Sequence, residues 1–492
     1  MMPDPNFDVS VNLTRESSPD QSAADVVIVG LPQQDSLPTS LNEFDQIGNG
    51  WLTRLQKSGQ IGGKRGDLTL LGVPSNEGPK MLLVAGLGDA VHHRSDAFEI
   101  TAAAIRSLLD RPRGCVEVRL AEQFPAEHHD AIVAGAMTAC EGQALYRSEP
   151  SLKLPTQIAF PGVSQDQLDR GRTIGQSINQ ARRMVNEPPA VLYPASFADA
   201  VTELFEGSET EVEVWDEGRL AEEGCRAILA VGAGSTRPPR LVMMRHNGGG
   251  DEPPIALVGK GVTFDSGGLS LKPSEAMMDM KCDMAGAATV VGVMHALAKI
   301  GVKRNVIGFC GLAENMVSGT SYKLGDVIKT RSGKTIEILN TDAEGRVVLA
   351  DTLDVAKGFQ PQSIVDLATL TGACMVALGR DVIGAMTNNP KVLSGIESSA
   401  SIEGELLWQL PMFRHYDEQV KSKVADIKNI GDGRWGGAIT AAKFLENFVD
   451  GQPWVHLDIA GPAFAEQPKA HRDAGATGVM VRTLIRWIEE QA

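Results

Sequence analysis

Asn340-Thr341-Asp342-Ala343-Glu344-Gly345-Arg346 places two carboxylates one residue apart, with a guanidinium two residues further on. The apolar run Thr335-Ile336-Glu337-Ile338-Leu339 before it reads as a strand, and Arg346 to Ala356 follows with helical spacing of apolar residues. The motif therefore sits on a strand-to-helix loop, where α/β proteins build sites. Further acids lie about 60–80 residues upstream by the same logic of strand ends and helix starts. Lys260 and Asp265 follow the buried-strand run Ile255–Gly259, and Asp283 stands at the mouth of the apolar helix Ala285–Ile300. If these carboxylates converge on one crevice they repel, and something positive must lie between them. Two divalent ions about 3.5–4 Å apart would supply it, and such pairs catalyse hydrolysis. No histidine falls in the constellation, so an imidazole zinc site is not indicated. Plainer readings stand beside this one: a capped loop for Asn340–Asp342, a strand-end lysine for Lys260, a solvated loop lysine for Lys272, and a core residue for Met280.

The elements that must position these groups alternate along the chain. Residues 1–160 read as one α/β unit, with strands at Ala24–Gly30, Met81–Gly86 and Cys115–Leu120 and helices at Phe98–Leu109 and Ala131–Tyr146. Prolines 150, 155 and 161 suggest a boundary there. Residues 161–190 read as a connecting helix closed by Pro188-Pro189. Residues 191–492 read as a larger α/β unit, whose strand–helix–strand spacing implies a mainly parallel sheet covered on both faces. The isolated Gly86-Leu87-Gly88-Asp89 reads as a turn before it reads as a phosphate loop, and His92-His93 and His128-His129 read as solvent-facing.

Composition narrows the partners. A chain of 492 residues needs more than one core. The formal net charge of −16 argues against nucleic acid as a main partner. Six scattered cysteines without a CxxC pair read as reduced thiols in a cytoplasmic protein. Met1–Asn12 lacks the pattern of a signal peptide, and the longest uncharged apolar-rich run, Leu367–Gly379, is too short to span a bilayer.

Three segments together carry a specific resemblance. GKGVTFDSGGLSLKP at 259–273, MKCDMAGAA at 280–288 and NTDAEGR at 340–346 resemble the leucyl (cytosol) aminopeptidase family, as do Ala368–Ala373, Gly437–Ala442 and His456–Gly461. The likeness covers the catalytic half; the amino-terminal half is assigned by position, as a macro-like domain that serves assembly. Leu324 and Ala190 stand where the family commonly has proline and asparagine, which touches only loop geometry and interdomain contacts.

The resemblance implies a two-metal exopeptidase, with zinc or manganese, that releases amino-terminal residues from short peptides by a metal-activated water. Asp265 and Glu344 would bridge both metals, Lys260 and Asp283 would complete the tighter site, and Asp342 the exchangeable one. A lysine ligand requires the neutral amine, so its pKa must be strongly depressed. Lys272 would stabilise the oxyanion. Arg346 would hold a bicarbonate ion acting as general base. The substrate's free amino group would meet Asp283, and its leucine-like side chain a pocket of Met280, Thr369, Leu370, Gly372, Ala460 and Ala463. The family also implies a homohexamer and no membrane. A different two-metal hydrolase, such as a phosphoesterase, would want more basic residues than Lys272 and Arg346, and salt-sensitive DNA binding would mark a regulator instead.

Overall fold

The computed structural model describes residues 11–16, 24–74, 78–89 and 93–491; residues 1–10 and His92, read above, lie outside them. The chain forms two compact units, residues 1–179 with 467–474, and residues 180–466 with 475–492. The sequence suggests a boundary at 160 with a linker over 161–190. The units instead divide inside one continuous helix, Gln165–Asn186. The reason is that the first half of this helix packs on helix His129–Ala139 of the first unit: a Cβ at Gly171 would lie 2.4 Å from the Asp130 carbonyl oxygen, and one at Gly175 2.6 Å from Met137 Cβ.

The first unit holds six strands: β1 Asn12–Thr14, β2 Val26–Pro32, β3 Leu68–Gly72, β4 Met81–Gly88, β5 Cys115–Arg119 and β6 Gln157–Ala159. They pair in the order β1-β6-β5-β2-β4-β3, parallel except for β3 at the edge. β2 is a run of valine and isoleucine buried on both faces, as a central parallel strand must be. Helix Arg94–Ser107 starts four residues before the expected Phe98, and the next helix, His129–Ala139, stops well short of Tyr146. The Gly86-Leu87-Gly88 run is strand and not a phosphate loop. A Cβ at Gly86 would sit 2.0 Å from the Lys64 carbonyl oxygen, so glycine admits a close backbone approach. His93 is exposed, but His129 is half-buried, its Nε2 2.9 Å from the Ala121 carbonyl.

The second unit is built on eight strands: β7 Glu211–Trp215, β8 Arg240–Asn247, β9 Ile255–Asp265, β10 Asn305–Asn315, and, beyond two short strands β11 Val327–Lys329 and β12 Thr335–Glu337, β13 Ser363–Ala368, β14 Val382–Thr387, β15 Leu406–Gln409 and, past the short β16 Ile427–Lys428, β17 Trp454–Asp458. Their order is β15-β14-β17-β13-β9-β10-β8-β7. The centre β17-β13-β9-β10 is parallel, while β14 against β17, β8 against β10 and β7 against β8 run antiparallel. From β9 the chain passes to β10 on one side and later to β13 on the other. The crevice at the carboxyl ends of these strands is therefore a topological switch point, where open α/β sheets bind ligands.

By length and composition Ser274–Ile300 is apolar enough to cross a membrane, but its apolar stretch from Cys282 to Leu297 is buried in the protein. Here it is core: helix Ala285–Ile300 presses on β9 and β13 through its small first turn. A Cβ on Gly286 would lie 2.1 Å from the Leu367 carbonyl oxygen. Gly286→Ala is therefore expected to destabilise the protein by about 3 kcal/mol, the upper range for overpacking against backbone that cannot yield. Urea unfolding with an unchanged m-value would register it.

Candidate active site

The site assembles from the carboxyl ends of β9, β10 and β13 and the starts of two helices. β9 supplies Lys260 and Asp265, both almost fully buried. Helix Ala285–Ile300 approaches β9 closely enough that the turn Met280–Met284 sets Asp283 against Lys260. Helix Glu344–Lys357 begins on Glu344, a position where the amino-terminal dipole favours a carboxylate.

Lys260 Nζ lies 2.6 Å from Asp283 Oδ1 and 2.8 Å from Glu344 Oε1, and donates to the Thr369 carbonyl at 3.0 Å. Lys272 Nζ lies 2.9 Å from Asp265 Oδ2 and 2.6 Å from Asp342 Oδ1. One carboxylate oxygen each from Asp265, Asp342 and Glu344 falls within 4.8 Å of the others. Five residues far apart in sequence thus converge with Lys272 on one cluster.

Charge is unbalanced there. Burial, and then the Glu344 charge, push the Asp265 carboxyl up to about 6. Burial raises Asp283 and Asp342 as well, against the pull of Lys260 and Lys272 respectively. Burial works against the Lys260 charge, yet Asp283, Glu344 and Asp265 together hold its ammonium above the ordinary lysine range. Four carboxylates facing two ammonium groups are short of cation. The buried Asp283 Oδ2 and Glu344 Oε2 also find no hydrogen-bond donor. Hard carboxylate oxygens with unused lone pairs, crowded in a dry place, fit divalent cations. The Lys260 charge runs opposite to the depressed pKa that a ligating amine needs. Without cations the ammonium is the counter-charge, so metal loading at this amine must release its proton.

Arg346 is buried, and burial pushes its guanidinium down to about 10 against the opposing charges of Glu344 and Asp458. It donates from Nη1 to the Asn429 carbonyl at 3.0 Å, and its buried Nε has no acceptor. That leaves one donor edge for an anion.

The expected pocket residues are placed as follows. Thr369 donates from Oγ1 to Asp283 Oδ1 at 2.8 Å. Leu370 and Ala460 both donate backbone N–H to Asp458 Oδ1 at 3.2 Å, which joins the ends of β13 and β17. Met280 is half-buried at the head of the turn bearing Asp283, Gly372 opens helix Gly372–Leu378 and is exposed, and Ala463 is buried.

Several supporting residues were not visible as such in the sequence. Asn315 donates to Asp265 Oδ1 at 2.8 Å and to the Thr341 carbonyl at 3.0 Å, orienting both carboxylate segments. Tyr322 donates to the same Thr341 carbonyl at 2.8 Å. Asn429, wholly buried, donates to the Asn340 carbonyl at 2.6 Å. Gly345 makes room for Lys260: a Cβ there would sit 2.3 Å from Lys260 Cε. A glycine between Glu344 and Arg346 in a helix's first turn was the one available hint.

Comparison with known proteins decides the family. Residues 179–485 match the model of the cytosol aminopeptidase family catalytic domain, and residues 28–150 that of the family's N-terminal domain. The chain belongs to the cytosol aminopeptidase family. A probable cytosol aminopeptidase of Rhodopirellula baltica is 59% identical over 491 residues, covering 97% of each chain. One from Roseiflexus castenholzii is 39% identical over 96% of this chain and 97% of its own. Among solved structures, a mutant of tomato leucine aminopeptidase superposes with a TM-score of 0.86 at 31% identity, over 98% of this chain and 97% of that one. The bottromycin maturation enzyme BotP in complex with Mn gives 0.85 at 34%, over 95% and 100%. As a cytosol aminopeptidase the chain is a metal-dependent peptidase, and its two-domain α/β architecture is the family's.

Proposed function

We propose that this cytosol aminopeptidase removes leucine-like amino-terminal residues from short peptides, with Lys260, Asp265, Asp283, Asp342 and Glu344 holding two divalent ions. The observation that carries this reading is the convergence of the buried Asp265 and Glu344 carboxylates and the more open Asp342 within 4.8 Å, in a cluster short of positive charge. Zinc and manganese are the ions proposed, and a family relative whose structure is a complex with Mn supports the second. Such ions, when bound, polarise the scissile carbonyl and acidify a water to nucleophilic strength at neutral pH.

The chain's own residues do the rest. Lys272, an ammonium on the open side of the cluster, donates to the oxygen that becomes negative as the carbonyl is attacked. Arg346, with its spare Nε edge, would hold a bicarbonate ion, which would supply the general base for the attacking water and the proton for the leaving amine. Asp283, with Thr369 beside it, faces the substrate's free amino group. Small and apolar Met280, Leu370, Gly372, Ala460 and Ala463 suit an aliphatic first side chain.

We further propose a homohexamer whose assembly involves the amino-terminal unit. Exposed Leu406 and Trp408 on edge strand β15 of the second unit support a covered surface on that unit as well. A cytoplasmic location is supported by the relatives' names and by six cysteines that are all buried and unpaired.

Hydrolysis of leucine p-nitroanilide against its N-acetylated twin tests the reading, on metal-stripped protein and after reloading with zinc or manganese. Cleavage of the free-amine compound only, and only with metal, is expected. Cleavage of both, or of neither with metal content verified, would overturn it.

A further inference from the structure

The segment between Asn429 and Gly437 is clamped to the site at both ends. At one end the Asn429 carbonyl accepts from Arg346 Nη1 at 3.0 Å, while the Asn429 amide donates to the Asn340 carbonyl. At the other, Gly437 lies so near the residue after Gly372 that an added Cβ would come within 2.9 Å of Ala373 Cβ. Residues 432–436 between these anchors are all exposed, and Gly433 and Gly436 take positive φ (77° and 62°), which shapes the loop as few other residues could.

This loop carries a guanidinium with nothing to bind. Arg434 makes no hydrogen bond or ion pair among the described residues. Its Cζ lies 4.4 Å from the ring centroid of Trp435, itself 71% exposed. The loop's own acid, Asp432, is taken by Lys428 at 2.5 Å. Stacking on an aromatic face orients a guanidinium plane without using its donors. The planar fork then presents paired N–H groups, which match a carboxylate.

We propose that Arg434, held by Trp435, receives the free α-carboxylate of a short peptide whose amino-terminal bond lies at the metal cluster. This rests on the aminopeptidase reading above and adds a preference for dipeptides and tripeptides with a free carboxyl end. Reach is consistent. Arg434 stands five residues from Asn429 and three from Gly437, at most about 17 Å and about 10 Å of extended chain. Each residue beyond the cleaved bond moves the substrate carboxylate only about 3.5 Å further out. A substrate carboxylate here replaces no existing partner of Arg434, so the contact costs no competing ion pair.

The test compares kcat/KM for leucylglycine and leucylglycinamide on the metal-loaded enzyme and its Arg434→Gln and Arg434→Lys variants. The wild-type enzyme is expected to favour the free acid. The ratio of acid to amide should fall about threefold to tenfold in Arg434→Gln, the range for an exposed pair with good fork geometry. Arg434→Lys, which keeps the charge and loses the fork, should retain part of it, and the wild-type ratio should shrink as salt rises. Using the ratio cancels any general damage to the enzyme. Equal wild-type efficiency on acid and amide, or an unchanged ratio in Arg434→Gln, overturns this proposal while leaving the aminopeptidase intact. A wild-type enzyme that cleaves neither compound overturns both.

Discussion

Replacing Glu344 by glutamine is expected to lower kcat by about three orders of magnitude or more, which is the scale of removing metal-ion catalysis. The substitution keeps size and shape. It takes away the carboxylate that touches Lys260 on one oxygen and leaves the other without a donor. The amide would turn an N–H₂ toward that place, where a cation needs a lone pair. Lys260 keeps Asp283 at 2.6 Å, so the buried ammonium is not stranded and the fold should persist. Metal content per subunit, measured after dialysis, should fall with the rate. The thermal midpoint should rise on adding zinc or manganese to the wild type but not to Glu344→Gln, since only a ligand that binds the native state stabilises it. A variant with full metal and full rate would remove Glu344 from the site.

Arg346→Ala carries the second large effect, a loss of about 10²- to 10³-fold in kcat with little change in KM, as for loss of a general base. The guanidinium is buried and has one edge spoken for by Asn429 and another edge open. At neutral pH it stays charged, because burial lowers it only to about 10. If it holds bicarbonate, removing dissolved carbonate should slow the wild type, and adding it back should restore the rate. Neither treatment should move Arg346→Ala. Arg346→Lys should keep a fraction, since an ammonium carries the charge without the fork. A bicarbonate response of equal size in both proteins would place the anion elsewhere.

The groups proposed to do the chemistry stand out in the chain because they are anomalies against their surroundings. Lys260 and Asp265 are the only charged positions in a strand that is otherwise apolar or glycine apart from Thr263, and Asp342 and Glu344 sit where a strand turns into a helix. Buried central strands also announce themselves by continuous apolar runs, which is why β2, β4 and the first half of β9 are legible. β15 and β8 are not. β15 is Leu-Leu-Trp-Gln at a sheet edge with mostly exposed side chains, and β8, between β10 and β7, has only the short apolar run Leu241–Met244 flanked by arginines. Helix His129–Ala139 ends before the expected Tyr146, and Gly142, just past its end, is the stop signal that the apolar residues Ala144 and Leu145 beyond it obscure.

Residue type and local spacing are enough to nominate the acids, the two lysines and the arginine as candidates, because each interrupts a local pattern that solvent or core would otherwise impose. They are not enough to say what orients those groups. Asn315 reaches Asp265 across 50 residues and Arg346 reaches Asn429 across 83. An asparagine at such a position looks like any strand-end or loop polar residue until the sheet order puts β9 beside both β10 and β13. The same holds for Gly286 and Gly345, whose missing side chains matter only once Leu367 and Lys260 lie against them. The charge state of the cluster also belongs to the folded chain. An isolated lysine or aspartate titrates by its own chemistry, and only burial together with packed neighbours turns these into a site short of cation.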